Sequence, residues 1–256
     1  MRRKIIVASL NWGLGHAARC IPIIHFLLEN NYIPIIASDG KALVFLQKEF
    51  PDLESIELPS YGISYAKNLK ASLVLQIPKI VQAVRKEQKA IHKYIESNNE
   101  VVGVISDNRF GVRSTKVPSV YITHQIQVFS GLTTFISSHI HQKIINRFDE
   151  CWIPDCDTNQ LSGLLSQPRN KKITLKYIGV LSRFNKKSLP KENAILVLLS
   201  GIESQRKSLE VKTLSVLKNY QGKVVLVQGK IEKEQTVKVQ DGIKIYNYLL
   251  SSDLEK

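Results

Sequence analysis

The chain has 256 residues, 43% of them hydrophobic, and carries 36 Lys and Arg against 22 Asp and Glu for a formal net charge of +14. That length and apolar content suffice for one large domain or two small ones. A basic surface draws phosphates, nucleic acid or anionic lipid heads, or serves solubility alone, but zinc-finger spacing, RNP-like aromatic boxes and Arg-rich tails are missing, so a nucleic-acid partner is not expected. Cys20, Cys151 and Cys156 show no CxxC spacing and read as free thiols. The apolar stretch after Arg2-Arg3-Lys4 is too short for a signal peptide, and no run approaches the roughly 20 apolar residues of a membrane span. The expectation is a cytoplasmic protein that touches the inner face of a membrane as a peripheral partner.

In chain order, Lys4 to Leu10 reads as an apolar strand and Asn11 to Arg19 as a glycine-containing loop that opens a helical run from Arg19 to Glu29. Ile33 to Ala37 reads as a strand, Lys41 to Phe50 as a helix, and Leu53 to Leu58 as a short extended segment. Leu73 to Ile95 has helical spacing with a basic face of Arg85, Lys86, Lys89 and Lys93. Val101 to Ser106 and Ser119 to Thr123 are buried strands, Ser137 to Arg147 a helix, and Glu150 to Ile153 a further strand. This alternation of β-branched strands and helices predicts an α/β fold with a parallel sheet covered on both faces.

Residues 165–192 break the rhythm with Pro168, Pro190 and the basic residues Arg169, Lys171, Lys172, Lys176, Arg183, Lys186, Lys187 and Lys191, and read as a connection between domains. A new unit follows: strand Ala194 to Leu199, the turn Ser200-Gly201, helix Glu203 to Tyr220, and strands Lys223 to Val227 and Ile243 to Tyr246. The predicted organisation is a first domain over 1–164, a connection over 165–192, and a second, incomplete domain of about three strands over 193–256.

Candidate chemistry gathers where strands end. Gly13-x-Gly15 follows the first strand and opens a helix, the arrangement that offers backbone N–H groups to an anion. His16 sits inside this turn. It reads as a general base for an acceptor hydroxyl, as a hydrogen-bond donor, or as a helix-start residue without chemistry. Arg19 pairs either with a phosphate or with a nearby acid. Asp107-Asn108 follows the strand Val101 to Ser106, so Asp107 is expected to face the same crevice, where it orients His16, binds a sugar hydroxyl, or caps the next segment. His124-Gln125 follows the next strand and inherits that geometry. In the second unit, the loop from Ser200 through Gln205 and Arg206 allows a phosphate close to backbone N–H groups, with Arg206 adding charge; a plain strand-to-helix turn is the competing reading. Gln228-Gly229-Lys230 and Tyr246-Asn247-Tyr248 complete the rim. His139 and His141 fit no metal spacing with acidic partners, so no metal site is expected.

Gly13-x-Gly15-x-x-Ala18, with Asp39 about 20 residues on, also matches a dinucleotide fingerprint and makes a nicotinamide or flavin enzyme the rival reading. Trp12 and His16 weaken it, because both are bulky where a pyrophosphate needs bare backbone.

With Gly13-Leu14-Gly15-His16, Asp107, His124-Gln125, Ser200-Gly201 and Gln205-Arg206 in view, the chain resembles the GT-B glycosyltransferases, and within them the MurG-like family 28 transferases. The resemblance implies two Rossmann-like domains facing a cleft, the first binding the acceptor and the second a nucleotide-sugar, usually UDP-linked. It implies inverting transfer with no cofactor beyond the donor substrate and no essential metal. His16 and Asp107 would be catalytic. Gly13, Gly15, Asn108, His124 and Gln125 would line the acceptor, a sugar, lipid or small molecule. Ser200, Gly201, Gln205, Arg206 and Tyr248 would hold the donor. Such families continue, after the third strand of the second domain, into a further strand and helix with a Ser-Gly turn and a donor-gripping acid. The chain ends before them. It is therefore expected to be a fragment, a naturally short chain, or a non-catalytic acceptor-binding subunit whose partner supplies the rest.

Overall fold

The computed structural model describes residues 3–62, 69–129, 131, 134–158, 160–167, 174–190, 192–201 and 203–255, with backbone alone at 69–75. Its first sheet has seven strands, all parallel: β1 (Lys4–Ser9), β2 (Ile33–Ser38), β3 (Ser55–Glu57), β4 (Val101–Asp107), β5 (Ser119–Ile122), β6 (Glu150–Ile153) and β7 (Leu175–Tyr177), in the order β3-β2-β1-β4-β5-β6-β7. Chain order reverses between β1 and β4. That reversal sends successive helices to opposite faces and opens a crevice at the carboxyl ends of these two strands.

One face of the sheet is covered by α1 (Leu14–Glu29) and α2 (Gly40–Glu49), whose Cys20, Ile21, Ile24, Phe45 and Leu46 pack on Val7 and Ile36. The other is covered by α3 (Leu69–Ser97), whose Ile91 and Ile95 pack on Ile6, Ile35 and Val104. Further along, α4 (Thr134–Ile145) and Phe148 lie against Tyr121 and Ile153. Both faces of β1, β2 and β4 are thus buried, which is why these strands are continuous apolar runs without alternation.

The sequence spacing starts the first helix at Arg19. In the structure it starts at Leu14, because Gly13 takes φ +81° and Gly15 enters the helix. A side chain at Gly13 would be strained in that left-handed conformation. The earlier start puts His16 and Arg19 on consecutive turns of one helix, facing the same way.

The region 165–192 is not wholly a connection, because β7 pairs parallel with β6 and extends the first sheet past residue 164. Arg169, Lys171, Lys172 and Lys191 lie outside the described residues, as does Ile202 of the second unit's first turn.

The second sheet holds β8 (Ala194–Leu198), β9 (Lys223–Val227), β10 (Val237–Gln240) and β11 (Ile243–Tyr246) in the order β10-β11-β9-β8. It therefore has four strands where about three are expected. β10 is an antiparallel addition joined to β11 through Asp241 and Gly242, both at positive φ. Helix α5 (Glu203–Leu217) covers one face, with Leu214 and Leu217 against Ile195 and Val197. On the opposite face Leu196 and Leu198 remain 55% and 47% exposed, and β8 is the terminal strand of the order.

The two units meet through side chains of both kinds. Ile231 and Tyr248 are buried within the cluster built by α1 and α2, and Leu181 and Leu250 pack against it. The Glu49 carboxylate accepts from the Ser251 backbone N–H and hydroxyl, each at 2.9 Å, at the start of the short helix α6 (Ser251–Leu254).

Candidate active site

Register decides what the crevice contains. Ser9 is paired with Asp107, and Asp107 with Ile122, so β1, β4 and β5 end level with one another. The residues that follow these ends are the glycine turn, Asn108 and Thr123-His124. The strand-end reading of the sequence therefore brings His16, Asp107, Asn108 and His124 together.

Asp107 is the hub. Its side chain is fully buried, and His16 Nδ1 lies 2.8 Å from its Oδ1. Arg19 donates to both carboxylate oxygens, through Nε to Oδ2 and through Nη2 to Oδ1. This two-pronged pairing is the geometry a guanidinium matches best. Burial pushes the Asp107 carboxyl up, but the hydrogen bond and charge of Arg19, with His16 behind them, outweigh it and hold the group below the ordinary carboxylate value. The same partner raises Arg19 against the opposite pull of burial.

Arg19 extends the network. Its Nη2 lies 2.8 Å from His16 Nδ1, and its Nη1 lies 3.2 Å from His124 Nδ1. Asn108 sits at φ +55°, an uncommon conformation for a residue other than glycine. Its side chain is fixed by the buried Tyr121 hydroxyl, which donates to Asn108 Oδ1 at 2.9 Å and turns Nδ2 toward Asp107 Oδ1 at 3.4 Å. His16 and Arg19 keep side chains 16% and 15% exposed, and Asn108 and His124 are half-buried as well, while Asp107 is closed off.

The His16 tautomer follows from its neighbours. At Nδ1 the donors Arg19 Nη2, at 2.8 Å, and Asn108 Nδ2, at 3.5 Å, are both also engaged on Asp107 Oδ1, while the ionised Asp107 can only accept; the carboxylate decides, and the favoured ring carries its proton on Nδ1 and donates it to Oδ1. Nε2 then keeps a lone pair. That is the arrangement of a base oriented by a carboxylate.

Gly13 and Gly15 stand at the mouth of this cluster, at the start of α1. Gln125 is exposed beyond it, its backbone N–H bound to Thr123 Oγ1 at 3.0 Å. Sequence reasoning left Arg19 between a phosphate and an acid. The structure spends it on Asp107.

Asp39, the acid of the dinucleotide fingerprint, is buried and occupied: Arg109 Nη1 binds its Oδ1 and Asn11 Nδ2 its Oδ2. Arg109 is itself fully buried. It also binds Glu87 through Nε and the Pro59 carbonyl at 2.8 Å, while Glu87 accepts from the Tyr61 hydroxyl and the Gly111 N–H, each at 2.9 Å. This knot of buried charge has no counterpart in the sequence reading. Its one local signal is Arg109 itself, a cation directly after a strand-end Asp-Asn.

In the second unit Ser200, Gly201 and Gln205 are exposed around the first turn, with Gly201 at φ +99°. Lys41 at the start of α2 pairs with Glu203 at 3.0 Å, which sets this turn beside the carboxyl edge of the first sheet. Two expected donor residues are placed otherwise. Arg206 is buried, and its guanidinium holds the Gln228 carbonyl at 3.1 Å, the Gly229 carbonyl and Glu203. Its Nη1 braces the end of β9 and its Nη2 pairs with Glu203, while its Nε is buried without a hydrogen-bond partner. Tyr248 is buried between the units with Lys48 Nζ over its ring, so it is packing and not rim. Among the described residues no group of three His, Cys, Asp or Glu side chains is placed to hold a metal ion, and no helix is long and apolar enough to cross a membrane.

Chains of known structure share this architecture. The glycosyltransferase SnogD from Streptomyces nogalater superposes with a TM-score of 0.57 at 9% identity, over 97% of this chain and 73% of its own. The glycotransferase of kitacinnamycin gives 0.55 at 12% identity, over 97% and 72%. A UDP-glucosyltransferase from Polygonum tinctorium gives 0.53 at 12% identity, over 89% and 65%. The chain has the GT-B fold. It is a GT-B fold with an incomplete second domain, spanning less than two thirds of the Polygonum enzyme's length. No protein-family model matches the chain, and no curated protein is similar to it in sequence. Within the GT-B frame the cluster around Asp107 lies at the sheet's switch point, on the side toward the second unit.

Proposed function

We propose that the chain is the acceptor-binding domain and part of the donor-binding domain of an inverting glycosyltransferase, with a UDP-linked sugar as donor, the first domain closing after β7 and the connection running over 178–192. The observation that carries the reading is the His16–Asp107 contact of 2.8 Å, held by Arg19 at the switch point of a GT-B sheet. His16 Nε2 takes the proton of an acceptor hydroxyl. The hydroxyl oxygen forms a bond to the anomeric carbon as the bond from that carbon to the diphosphate breaks, and the diphosphate leaves with the electron pair. A single displacement inverts the carbon. Backbone N–H groups at Ser200-Gly201 receive the leaving group. One structural neighbour, a spinosyn rhamnosyltransferase, is described in complex with thymidine diphosphate, which supports a nucleoside diphosphate as the ligand of the second unit.

Thermal denaturation against UDP, GDP, TDP and NAD tests the donor. Stabilisation by UDP is expected; a shift with NAD and none with any nucleoside diphosphate overturns the reading. Where transfer is measured, His16→Ala lowers kcat about 10²–10⁴-fold, the range of a positioned general base. Wild-type rates in that variant remove His16 from the role.

The acceptor reading extends to an anionic membrane surface on the inner, cytoplasmic face. Phe135, Ile136 and Ile140 on α4 are exposed beside Lys143, and α3 exposes Ile77 and Val81 beside Arg85 and Lys86. Phe110 relates the two helices: it packs on the cluster that holds Ala83 of α3 and meets the ring of His141 of α4 edge-on. Apolar side chains flanked by cations suit a lipid surface. Sedimentation with vesicles containing anionic lipid is expected to exceed that with neutral vesicles; equal binding overturns the membrane reading.

A further inference from the structure

We infer that Arg19 holds His124 as the neutral tautomer protonated at Nε2, so that His124 offers this N–H to an oxygen of the acceptor while His16, bound to the same guanidinium, takes the acceptor's proton. The identity of that oxygen rests on the function proposed above. The tautomer does not.

Arginine has N–H donors and no acceptor. Arg19 Nη1 lies 3.2 Å from His124 Nδ1, so a proton on that nitrogen would set N–H against N–H. Nδ1 therefore carries the lone pair and the ring's single proton is on Nε2. A second proton would place an imidazolium beside a guanidinium that is itself pinned by Asp107. The groups facing His124 are Arg19 and His16 from α1, Asp107 at the end of β4 and Asp155 after β6; burial first, and then Arg19 and His16, hold its pKa below the ordinary histidine value against the two carboxylates.

His16 is opposite in kind. Its Nδ1 also meets Arg19, but it meets the buried Asp107 carboxylate at the same 2.8 Å. A lone pair turned on that anion would be the costlier contact, because Arg19 already satisfies Nη2 on Asp107 Oδ1. One ion pair thus sets two histidines in opposite tautomers: His16 with Nε2 open to receive a proton, His124 with Nε2 able only to give a hydrogen bond. His124 transfers no proton in this scheme. Arg19 is a positioning residue for both rings.

The test is tautomer-resolved ¹H–¹⁵N NMR of the whole chain labelled at histidine, with His124 assigned by His124→Gln. His124 is expected to show the Nε2–H pattern at about pH 6.5 and above, where an ordinary histidine is still partly protonated. An Nδ1–H pattern, or an imidazolium signal near pH 6.5, overturns the proposal. Arg19→Lys keeps a cation for Asp107 and removes the fixed Nη1 donor, so His124 should become a tautomer mixture that titrates. A single unchanged tautomer in that variant removes Arg19 from the role. Neither readout needs donor or transfer, so loss of the glycosyltransferase reading leaves this result standing, and the converse.

Discussion

Asp107 keeps its charge in a place water does not reach, and it does so only because Arg19 and His16 are there. Removing the carboxylate leaves a largely buried guanidinium unpaired. Asp107→Ala should therefore lower the unfolding free energy by about 3–5 kcal/mol, measured by urea denaturation. The pH dependence has a definite sign. The folded pKa of Asp107 lies below its unfolded value of about 3.9, so its contribution is complete above that value and disappears as pH falls from there toward the folded pKa. The difference in stability between wild type and Asp107→Ala should shrink only in that acid window; a difference that shrinks on raising pH from 6 to 8 contradicts the assignment. At this scale the sequence is half legible. A polar residue directly after a buried strand, such as Asp107 or His124, announces its place at the sheet's rim. Its direction is another matter. Arg206, in the first turn of α5, and Tyr248, two residues past β11, are read as rim residues too, yet both turn inward, because nearby carbonyls and a second core lie there to receive them.

The elements of the first sheet are tied at their carboxyl ends by Arg109. It reaches the segment after β3 through the Pro59 carbonyl, Asp39 beyond β2, and Glu87 on α3, which in turn holds Gly111 after β4. Arg109→Ala leaves two carboxylates stranded and should cost about 3–5 kcal/mol, read as a lower denaturation midpoint. Gly111→Ala tests the same junction from the other side: a Cβ there would stand 2.3 Å from the Val84 carbonyl and 2.6 Å from Glu87, so α3 must shift, at a cost of about 1–3 kcal/mol. The strands themselves are plain in the sequence. Glu150–Ile153, Lys223–Val227 and Ile243–Tyr246 have the bounds that their apolar runs suggest. The Arg109 knot is not plain, since its partners stand 22 and 70 residues away. β10 was available to a closer reading, because Asp241-Gly242 between Val237–Gln240 and Ile243–Tyr246 is the dipeptide that two positive φ angles favour.

For the whole molecule, the joint between the two units is the sensitive part. Glu49 binds Ser251 and, at 3.3 Å, Arg183 of the connection, while Tyr248 and Ile231 complete the apolar contact. Glu49→Ala should weaken that joint by about 1–3 kcal/mol, seen as faster amide exchange at Ser251 and faster tryptic cleavage after Lys186 or Lys187. Unchanged exchange there means the apolar contact alone sets the joint. The alternation of strands and helices foretells two units; that they share one core through Tyr248 depends on packing between residues some two hundred positions apart, which no local pattern records.

The bare side of β8 has a consequence for handling the protein. Leucines on a strand whose outer edge has no partner strand among the described residues invite the same strand of another molecule. Stock solutions should therefore show sedimentation that grows heavier with concentration despite the high positive charge. Leu196→Lys, which puts a cation on that strand without touching the Asp107 cluster, should keep the chain dispersed at loadings where the parent clouds.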